Sequence, residues 1–228
     1  MCDGSTIRRL VTERIGQAIT RMFLRSLTAS LRGVYLEGEL PEGPAVLAMN
    51  HHSYFDGHLA GLLARLAGQR VSVLVSAENL RAFPVLAAVG AVDARRVREA
   101  LRRLRRGEWI AVFVEGELRY PGTLGPVRRG ARYLADRAGV PLVPVAVRVV
   151  LRGFELPEAF VWVGPPVPPG QDLAEVLGGG LRRVDETLAA THPRTVPPQF
   201  RLVLRGRSSL DERVARWIRW FRWVGGEI

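Results

Sequence analysis

The stretch AVLAMNHHSYFD, residues 45–56, joins an apolar run to a cluster of polar and aromatic side chains. Within it, His51 stands five positions before Asp56. On a regular helix two such residues are about 140° apart around the axis and do not share a face. In a turn between a strand end and a helix start, Asp56 could instead hold one ring nitrogen of His51 while the other faces a cleft. A histidine held in this way is suited to act as a general base near neutral pH.

Strand and helix patterns alternate along the chain on either side of this stretch. Buried-type apolar runs predict strands at residues 34–36, 44–49, 71–75, 109–114, 142–149 and 159–163. Helical spacing of apolar residues predicts helices at 57–67, 83–88, 97–106 and 129–138. The alternation predicts an α/β fold: a single domain with a mostly parallel mixed sheet flanked by helices. Functional sites in such sheets form at the carboxyl ends of strands, which is where His51, Arg96 and Glu115 fall.

An amphipathic N-terminal helical segment is predicted over residues 1–33. Apolar side chains recur at helical spacing from Thr6 to Leu31, arginines lie largely off that stripe, and Gly33 ends the helix. Such a helix can pack on the core or lie in a membrane interface with its arginines near anionic head groups, and both alternatives remain open. The α/β domain is assigned to residues 34–198, in which Gly178-Gly179-Gly180 is the one flexible-looking stretch.

The remaining residues, 199–228, form a tail that is rich in arginine and tryptophan. Trp217, Trp220 and Trp223 recur every third residue, with arginines between them. Tryptophan and arginine together favour a membrane interface, where the indole ring lies at head-group level and arginine meets phosphate. The alternative is a C-terminal helix that docks on the core through its tryptophans.

Charge and composition restrict the possible partners. The formal net charge is +11, all 33 basic residues are arginine, and many of them cluster at residues 1–32, 95–106 and 199–228. Such clusters imply an acidic partner: anionic lipid, an acidic carrier protein or nucleic acid. The single cysteine, Cys2, excludes an internal disulfide framework. Charged residues interrupt the early apolar positions, and no run of about 18 apolar residues occurs, so neither a signal peptide nor a transmembrane helix is expected.

Three further motifs follow the first stretch in order: GAVDARR at residues 90–96, FVEGELR at 113–119 and VPLVPV at 140–145. With the His51–Asp56 spacing, this series resembles the four sequence blocks of the glycerolipid acyltransferase superfamily, the enzymes related to lysophosphatidate acyltransferase. In that family the blocks read His-four residues-Asp, a glycine with a short strand and an arginine, Phe-Pro-Glu-Gly-Thr-Arg, and Val-Pro-hydrophobic-hydrophobic-Pro. The resemblance covers residues 34–167.

The resemblance implies an enzyme that moves a fatty acyl group from a thioester to a lipid hydroxyl. The implied donor is acyl carrier protein or coenzyme A carrying the acyl group, and lysophosphatidate is the implied default acceptor. By position in the motifs, His51 is the general base, and Asp56 fixes its tautomer and stabilises the imidazolium. Glu115 and Gly116 are expected to shape the acceptor site.

Substrate anchoring and location follow from the same resemblance. Arg96, or Arg95 beside it, is expected to hold a phosphate of the acceptor, and residues 140–145 are expected to lie beneath the acyl chain. No cofactor and no metal ligand set is implied. The basic clusters suit an anionic membrane surface and an acidic acyl carrier protein. We therefore expect a cytoplasmic enzyme that is peripheral on the inner face of the cell membrane.

The third motif departs from the family pattern. Val114 stands in place of the family proline, Glu117-Leu118 stands in place of the threonine–arginine pair, and Arg119 lies one residue late. Arginine recognises phosphate through planar, paired donors, whereas a neighbouring carboxylate repels it. Phosphate binding by Arg119 therefore stays open. A non-phosphorylated lipid alcohol or a glycolipid is the alternative acceptor.

A function from a different class also stays open: a non-enzymatic basic protein that binds membranes or nucleic acid. Charge alone supports nucleic-acid binding, because the aromatic residues are not interleaved along a strand platform. We therefore expect no nucleic-acid partner.

Overall fold

The computed structural model describes residues 18, 19 and 21–223, and that part of the chain contains an eight-stranded sheet. The strands are β1 (Gly33–Glu37), β2 (Val46–Met49), β3 (Val71–Val75), β4 (Val92–Asp93), β5 (Trp109–Phe113), β6 (Leu142–Val150), β7 (Glu158–Val163) and β8 (Arg201–Arg205). Their order across the sheet is β4-β3-β5-β2-β6-β7-β1-β8. Neighbouring strands are parallel except in the β6–β7 and β1–β8 pairs, so the predicted mixed, mostly parallel sheet is confirmed.

Helices cover both faces of this sheet. They are α1 (described over residues 21–30), α2 (Asp56–Leu66), α3 (Ala77–Ala82), α4 (Val85–Ala88), α5 (Val97–Arg105), α6 (Gly130–Ala138), α7 (Leu173–Ala189) and α8 (Leu210–Trp223). One apolar cluster joins α1 and α2 to the sheet, and a second joins α5, α6 and α7 to the opposite face. The result is a three-layer α/β domain, as the alternating pattern predicted.

Strand β2 lies between β5 and β6, and all of its residues are buried. Leu47 and Met49 belong to the apolar cluster around α2, whereas Val46 and Ala48 belong to the cluster around α6. A strand that is covered on both faces is uniformly apolar, which explains the composition of this segment. Residues 50–56 follow the strand directly and therefore begin at the carboxyl edge of the sheet.

Helix α1 packs on the core through one face. Leu27 and Leu31 are fully buried and Leu24 packs against their cluster, while Met22 is half exposed. The described part of the predicted N-terminal helix therefore packs on the core. The part predicted over residues 6–17 lies outside the described residues.

The three consecutive glycines do not form a flexible stretch; they lie inside α7. Gly180 lies against the ring of Trp162 in β7, and a Cβ atom at this position would be 2.3 Å from that ring. Because Gly180 has no side chain, the Trp162 ring can pack directly against the backbone of α7. The interpretation from composition was wrong because close packing, rather than backbone freedom, accounts for this glycine.

The tail begins as part of the sheet, which the sequence patterns did not predict. Strand β8 pairs with β1 in antiparallel orientation. Helix α8 follows, and its Trp217, Trp220 and Trp223 are exposed rather than docked on the core. Among the described helices, none is both long and apolar enough to cross a bilayer.

Candidate active site

The predicted histidine–aspartate pair is formed in the turn between β2 and α2. The distance from His51 Nδ1 to Asp56 Oδ2 is 2.8 Å. Asp56 is the first residue of α2, where the partial positive charge of the helix N-terminus favours a carboxylate. The turn before the helix brings together two side chains that a continuous helix would separate.

Backbone groups of the same turn hold the Asp56 carboxylate in place. Its Oδ2 atom also accepts hydrogen bonds from the backbone N–H groups of His52 and Ser53, each at 2.8 Å. Asp56 is completely buried. Because its position is determined by three donors, the carboxylate can orient the imidazole rigidly.

The ring of His51 is oriented by two contacts. It stacks on Phe113, the last residue of β5, with ring centroids 4.2 Å apart and an interplanar angle of 13°. Since the Asp56 carboxylate accepts at Nδ1, that nitrogen carries the proton of the neutral ring, and the lone pair of the neutral ring is then on Nε2. Nε2 forms no hydrogen bond with the described residues, and 25% of the side chain is exposed. His51 can therefore accept a proton from a molecule at the surface.

Asn50 and His52 attach the turn to β6. The Asn50 side chain accepts from the Val147 N–H at 2.8 Å and donates to the Val147 carbonyl at 3.1 Å. His52 Nε2 accepts from the Val149 N–H at 3.1 Å, and burial lowers the pKa of His52. His52 is therefore held as a neutral structural residue, and the two side chains continue the β2–β6 pairing beyond the strand end.

Glu115 is a buried carboxylate that connects the first and third motifs. Its Oε2 atom accepts from the backbone N–H of His51 at 2.9 Å, and its Oε1 atom accepts from the backbone N–H of Gly125 at 2.8 Å. Only 5% of the residue is exposed. The structure thus places Glu115 between the turn of residues 50–56 and the loop that follows β5.

The same loop brings two arginines to the site. The Arg119 backbone N–H donates to the His51 carbonyl at 2.9 Å, while its guanidinium forms an ion pair with Glu117. The Arg128 guanidinium lies over Gly116, where a Cβ atom would be 2.5 Å from Arg128 Nε. Arg128 Nε also donates to the Glu115 carbonyl at 3.2 Å. Sequence reasoning missed Arg128 because it lies outside the FVEGELR motif.

The other two predicted anchors lie apart from this group. Arg95 and Arg96 follow β4 and are exposed. Arg95 donates to Asp93 through its backbone and its side chain, and these bonds lower the pKa of Asp93. The side chain of Arg96 has no hydrogen bond or ion pair with the described residues. Because β4 is three strands from β2, about 14 Å of sheet separates these arginines from the turn of residues 50–56 along the same edge.

The described residues contain no group of three His, Cys, Asp or Glu side chains placed to hold a metal ion. Two surface cavities, of about 280 and 370 Å³, lie beside α8 and α6 and include neither His51 nor Asp56. Of the His51–Asp56 pair, Asp56 is buried, whereas 25% of the His51 side chain is exposed at the carboxyl edge of the sheet.

Comparison with known proteins identifies the family. The family profile described as Acyltransferase matches residues 32–148, just over half of the chain. The chain belongs to this acyltransferase family. The matched region contains the turn of residues 50–56, both arginines after β4 and the whole loop after β5. The predicted glycerolipid acyltransferase superfamily is thereby confirmed.

Individual relatives of this acyltransferase-family chain carry related names. It is 31% identical over 147 residues to 1-acyl-sn-glycerol-3-phosphate acyltransferase alpha from Homo sapiens, covering 56% of this chain and 51% of the human protein. It is 30% identical over 179 residues to lyso-ornithine lipid O-acyltransferase from Pseudomonas aeruginosa, covering 73% of this chain and 65% of that protein. The chain thus spans about half the length of the human relative.

One solved structure supports the fold. The 1-acyl-sn-glycerophosphate (LPA) acyltransferase PlsC from Thermotoga maritima superposes with a TM-score of 0.53 at 23% sequence identity. The match covers 84% of this chain and 85% of that chain. The eight-stranded α/β architecture is therefore shared with an acyltransferase of known structure.

Proposed function

We propose that this protein transfers a fatty acyl group from an acyl thioester, carried by acyl carrier protein or coenzyme A, to a lipid hydroxyl such as that of lysophosphatidate. The observation that carries the proposal is the 2.8 Å bond from His51 to Asp56, with Nε2 of His51 left as a partly exposed base. The names of the human and Thermotoga relatives support lysophosphatidate as the first acceptor to test.

The proposed reaction uses His51 as general base and then as general acid. Nε2 takes the proton of the acceptor hydroxyl as that oxygen attacks the thioester carbonyl carbon. The carbon–sulfur bond then breaks, and the sulfur leaves with the proton that Nε2 returns. Asp56 stabilises the imidazolium between these steps, as the carboxylate does in other histidine-based acyl transfers.

Substitution of His51 tests this mechanism directly. Purified protein is incubated with acyl thioesters and a panel of lipid alcohols, and acyl-lipid products are measured by mass spectrometry. We expect His51→Ala to lower the rate by about 10²–10⁴-fold, the usual contribution of general base catalysis. Thermal unfolding should be nearly unchanged, because this partly exposed side chain fills little core volume. A rate above a tenth of the wild-type value would show that His51 is not the base.

A non-phosphorylated acceptor is a second candidate, and two observations favour it. Glu117 forms an ion pair with the guanidinium of Arg119 and adds a negative charge beside the site. The Pseudomonas relative is named for a lyso-ornithine lipid rather than for a glycerol phosphate. The acceptor panel should therefore include lipid alcohols with and without phosphate.

Arginine substitutions distinguish the two acceptor classes. If a phosphorylated acceptor is used, Arg96→Ala should raise its KM by about tenfold or more, since a charged hydrogen bond contributes about 1.5–3 kcal/mol. Arg95→Ala, Arg119→Ala and Arg128→Ala are measured in parallel, because Arg128 lies over Gly116 while Arg119 is paired with Glu117. An acceptor whose KM none of these variants changes is not held through phosphate by this chain.

We propose the cytoplasmic face of the cell membrane as the place of reaction, with the protein bound peripherally. The exposed tryptophans and arginines of α8 support an anionic lipid surface as a partner. The lipid acceptor would be taken from that surface, while the thioester donor would arrive from solution.

A further inference from the structure

Helix α8 presents an apolar surface that packs on little of the protein. Trp217 is 61% exposed, Trp220 is 57% exposed, and Leu210 and Val214 are exposed with them. Trp217 stacks on Phe221 with ring centroids 5.8 Å apart. At 100° per residue, Leu210, Val214, Trp217 and Phe221 fall on one side of the helix. An isolated helix surface of this size and aromatic content marks a binding site.

The arginines of α8 complete an amphipathic helix. Arg216 and Arg219 fall on the side opposite to Val214, and both are exposed. Trp217 lies on the apolar side, Trp220 lies about 60° from Trp217 around the axis, and Trp223 lies close to Arg216. An apolar side that carries one indole ring, flanked by further indole rings and guanidinium groups, matches the boundary of an anionic bilayer, where apolar chains meet phosphate head groups. Charge complementarity therefore selects an anionic lipid surface as the occupant.

The start of α8 is attached firmly to the domain. Ser209 Oγ accepts from the Glu212 N–H at 3.2 Å, and the Glu212 carboxylate accepts from the Ser209 N–H at 2.9 Å, which is a capping box. Arg32 binds Glu212 at 2.7 Å, and Arg194 binds Asp211 at 2.7 Å. We name these four charged residues, Arg32, Glu212, Arg194 and Asp211, the α8 clamp.

The α8 clamp lies at the edge of the sheet that carries the active site. Arg32 immediately precedes Gly33, which pairs with Glu158, and Glu158 pairs with Val150 at the carboxyl end of β6. The proposed catalytic turn, residues 50–56, reaches the same end of β6, because His52 Nε2 accepts from the Val149 N–H. The attachment of α8 and the catalytic turn are therefore level with each other along the strands.

We propose that α8 is a membrane-orienting helix: its apolar side, which carries Trp217, binds an anionic bilayer, and the α8 clamp sets its angle so that the carboxyl edge of the sheet faces the same bilayer. The reason for the orientation, access of His51 to a lipid acceptor, rests on the proposed function. The binding and the orientation themselves do not depend on it.

Vesicle binding tests the contact. Wild-type protein should co-sediment with vesicles of phosphatidylglycerol and phosphatidylcholine, should bind pure phosphatidylcholine vesicles less, and should be partly released by high salt. The triple variant Trp217→Ala, Trp220→Ala and Trp223→Ala should bind about tenfold or more weakly. Tyr133→Ala, which removes an exposed aromatic ring from α6, is the matched control and should bind as wild type. Equal binding by the triple variant, or no binding by wild type, overturns the proposal.

A fluorescence measurement tests the orientation without requiring activity. In a Cys2→Ser background, single cysteines replace Leu118, exposed beside the catalytic turn, or Arg70, exposed just before β3 at the opposite edge of the sheet. Each cysteine carries a fluorophore, and the vesicles contain lipids with nitroxide head groups. The label at position 118 should be quenched severalfold more than the label at position 70. Equal quenching of the two labels overturns the orientation.

The same measurement tests the α8 clamp. The double variant Asp211→Asn and Glu212→Gln should still bind vesicles, because its tryptophans are intact, but the difference in quenching between the two labels should disappear. An unchanged difference would show that the clamp does not orient the protein. Absence of acyl transfer with every acceptor would contradict the proposed function alone and would leave these results standing.

Discussion

Glu115 has a structural task that its place in the motif did not reveal. One carboxylate oxygen accepts from the backbone of the turn of residues 50–56, and the other accepts from the backbone of the loop after β5. A single buried side chain therefore joins the backbone of His51 to the loop that carries Arg119 and Arg128. Its expected role in shaping the acceptor site stays a prediction and is compatible with this position.

Glu115→Gln tests that task at the scale of one residue. The amide NH₂ group would face a backbone N–H in place of one oxygen, so one hydrogen bond is lost and two donors meet. We expect the free energy of unfolding to fall by about 1–3 kcal/mol and kcat to fall with it. Denaturant unfolding and steady-state kinetics measure the two effects. Glu117→Gln, at an exposed position two residues away, should leave stability nearly unchanged; equal losses in both variants would contradict the assignment.

At the scale of elements, α7 contains two glycines with different surroundings. Gly180 packs closely against another side chain, whereas Gly178 does not. A Cβ atom at Gly180 would lie 2.3 Å from the Trp162 ring, whereas a Cβ atom at Gly178 would have only Arg182 nearby, at 3.6 Å. Both positions are inside the same helix and both are buried. The pair therefore separates the cost of helix propensity from the cost of a steric clash.

Alanine substitution at these two glycines should have opposite effects. Gly178→Ala should stabilise the protein by up to about 1 kcal/mol, because alanine is the better helix former. Gly180→Ala should destabilise it by about 1–3 kcal/mol, since the Trp162 ring must move in a packed interface. Thermal unfolding of the two variants and of wild type measures these changes in stability. Stabilisation by Gly180→Ala would mean that the ring relocates freely.

At the scale of the whole molecule, two arginine-rich helices lie next to the two outermost strands of the sheet. Helix α8 follows β8, the outermost strand on one side of the sheet, and α5 follows β4, the outermost strand on the other side. Strand β2 lies between them. On α5, Arg98, Arg102 and Arg105 are exposed at helical spacing, while Ala100 and Leu104 are buried. The α5 surface is therefore exposed and lies apart from the helix for which we propose lipid binding, which leaves room for an acidic donor protein at α5.

Charge reversal on α5 tests whether the donor is an acidic carrier protein. Arg98→Glu with Arg105→Glu should raise the KM for an acyl carrier protein thioester by roughly tenfold, since exposed ion pairs contribute up to about 1 kcal/mol each. The KM for the coenzyme A thioester should change less, because that donor is much smaller. Arg182→Glu, on the exposed side of α7, is the control. Equal KM values in all variants would exclude α5 as the donor surface.

The sequence by itself determined the layer architecture, the strands that enclose the site and the His51–Asp56 pair. Buried parallel strands must be uniformly apolar, and a polar turn must follow where such a strand ends, so both signals are local. Strand β8 and the buried glycine of α7 gave no local signal, because an edge strand and a close helix–sheet contact depend on residues distant in sequence.

Only the tertiary structure decided how the site is held. The bonds from Asn50 and His52 to β6, from Glu115 to the His51 N–H, and from Arg128 to the Glu115 carbonyl join segments far apart in the chain. Such bonds depend on strand order and on the angle at which each chain segment leaves the sheet. The residue types and spacing within one motif specify neither the strand order nor these angles. The motifs therefore predicted which chemical groups take part, whereas the fold determined the distances between them.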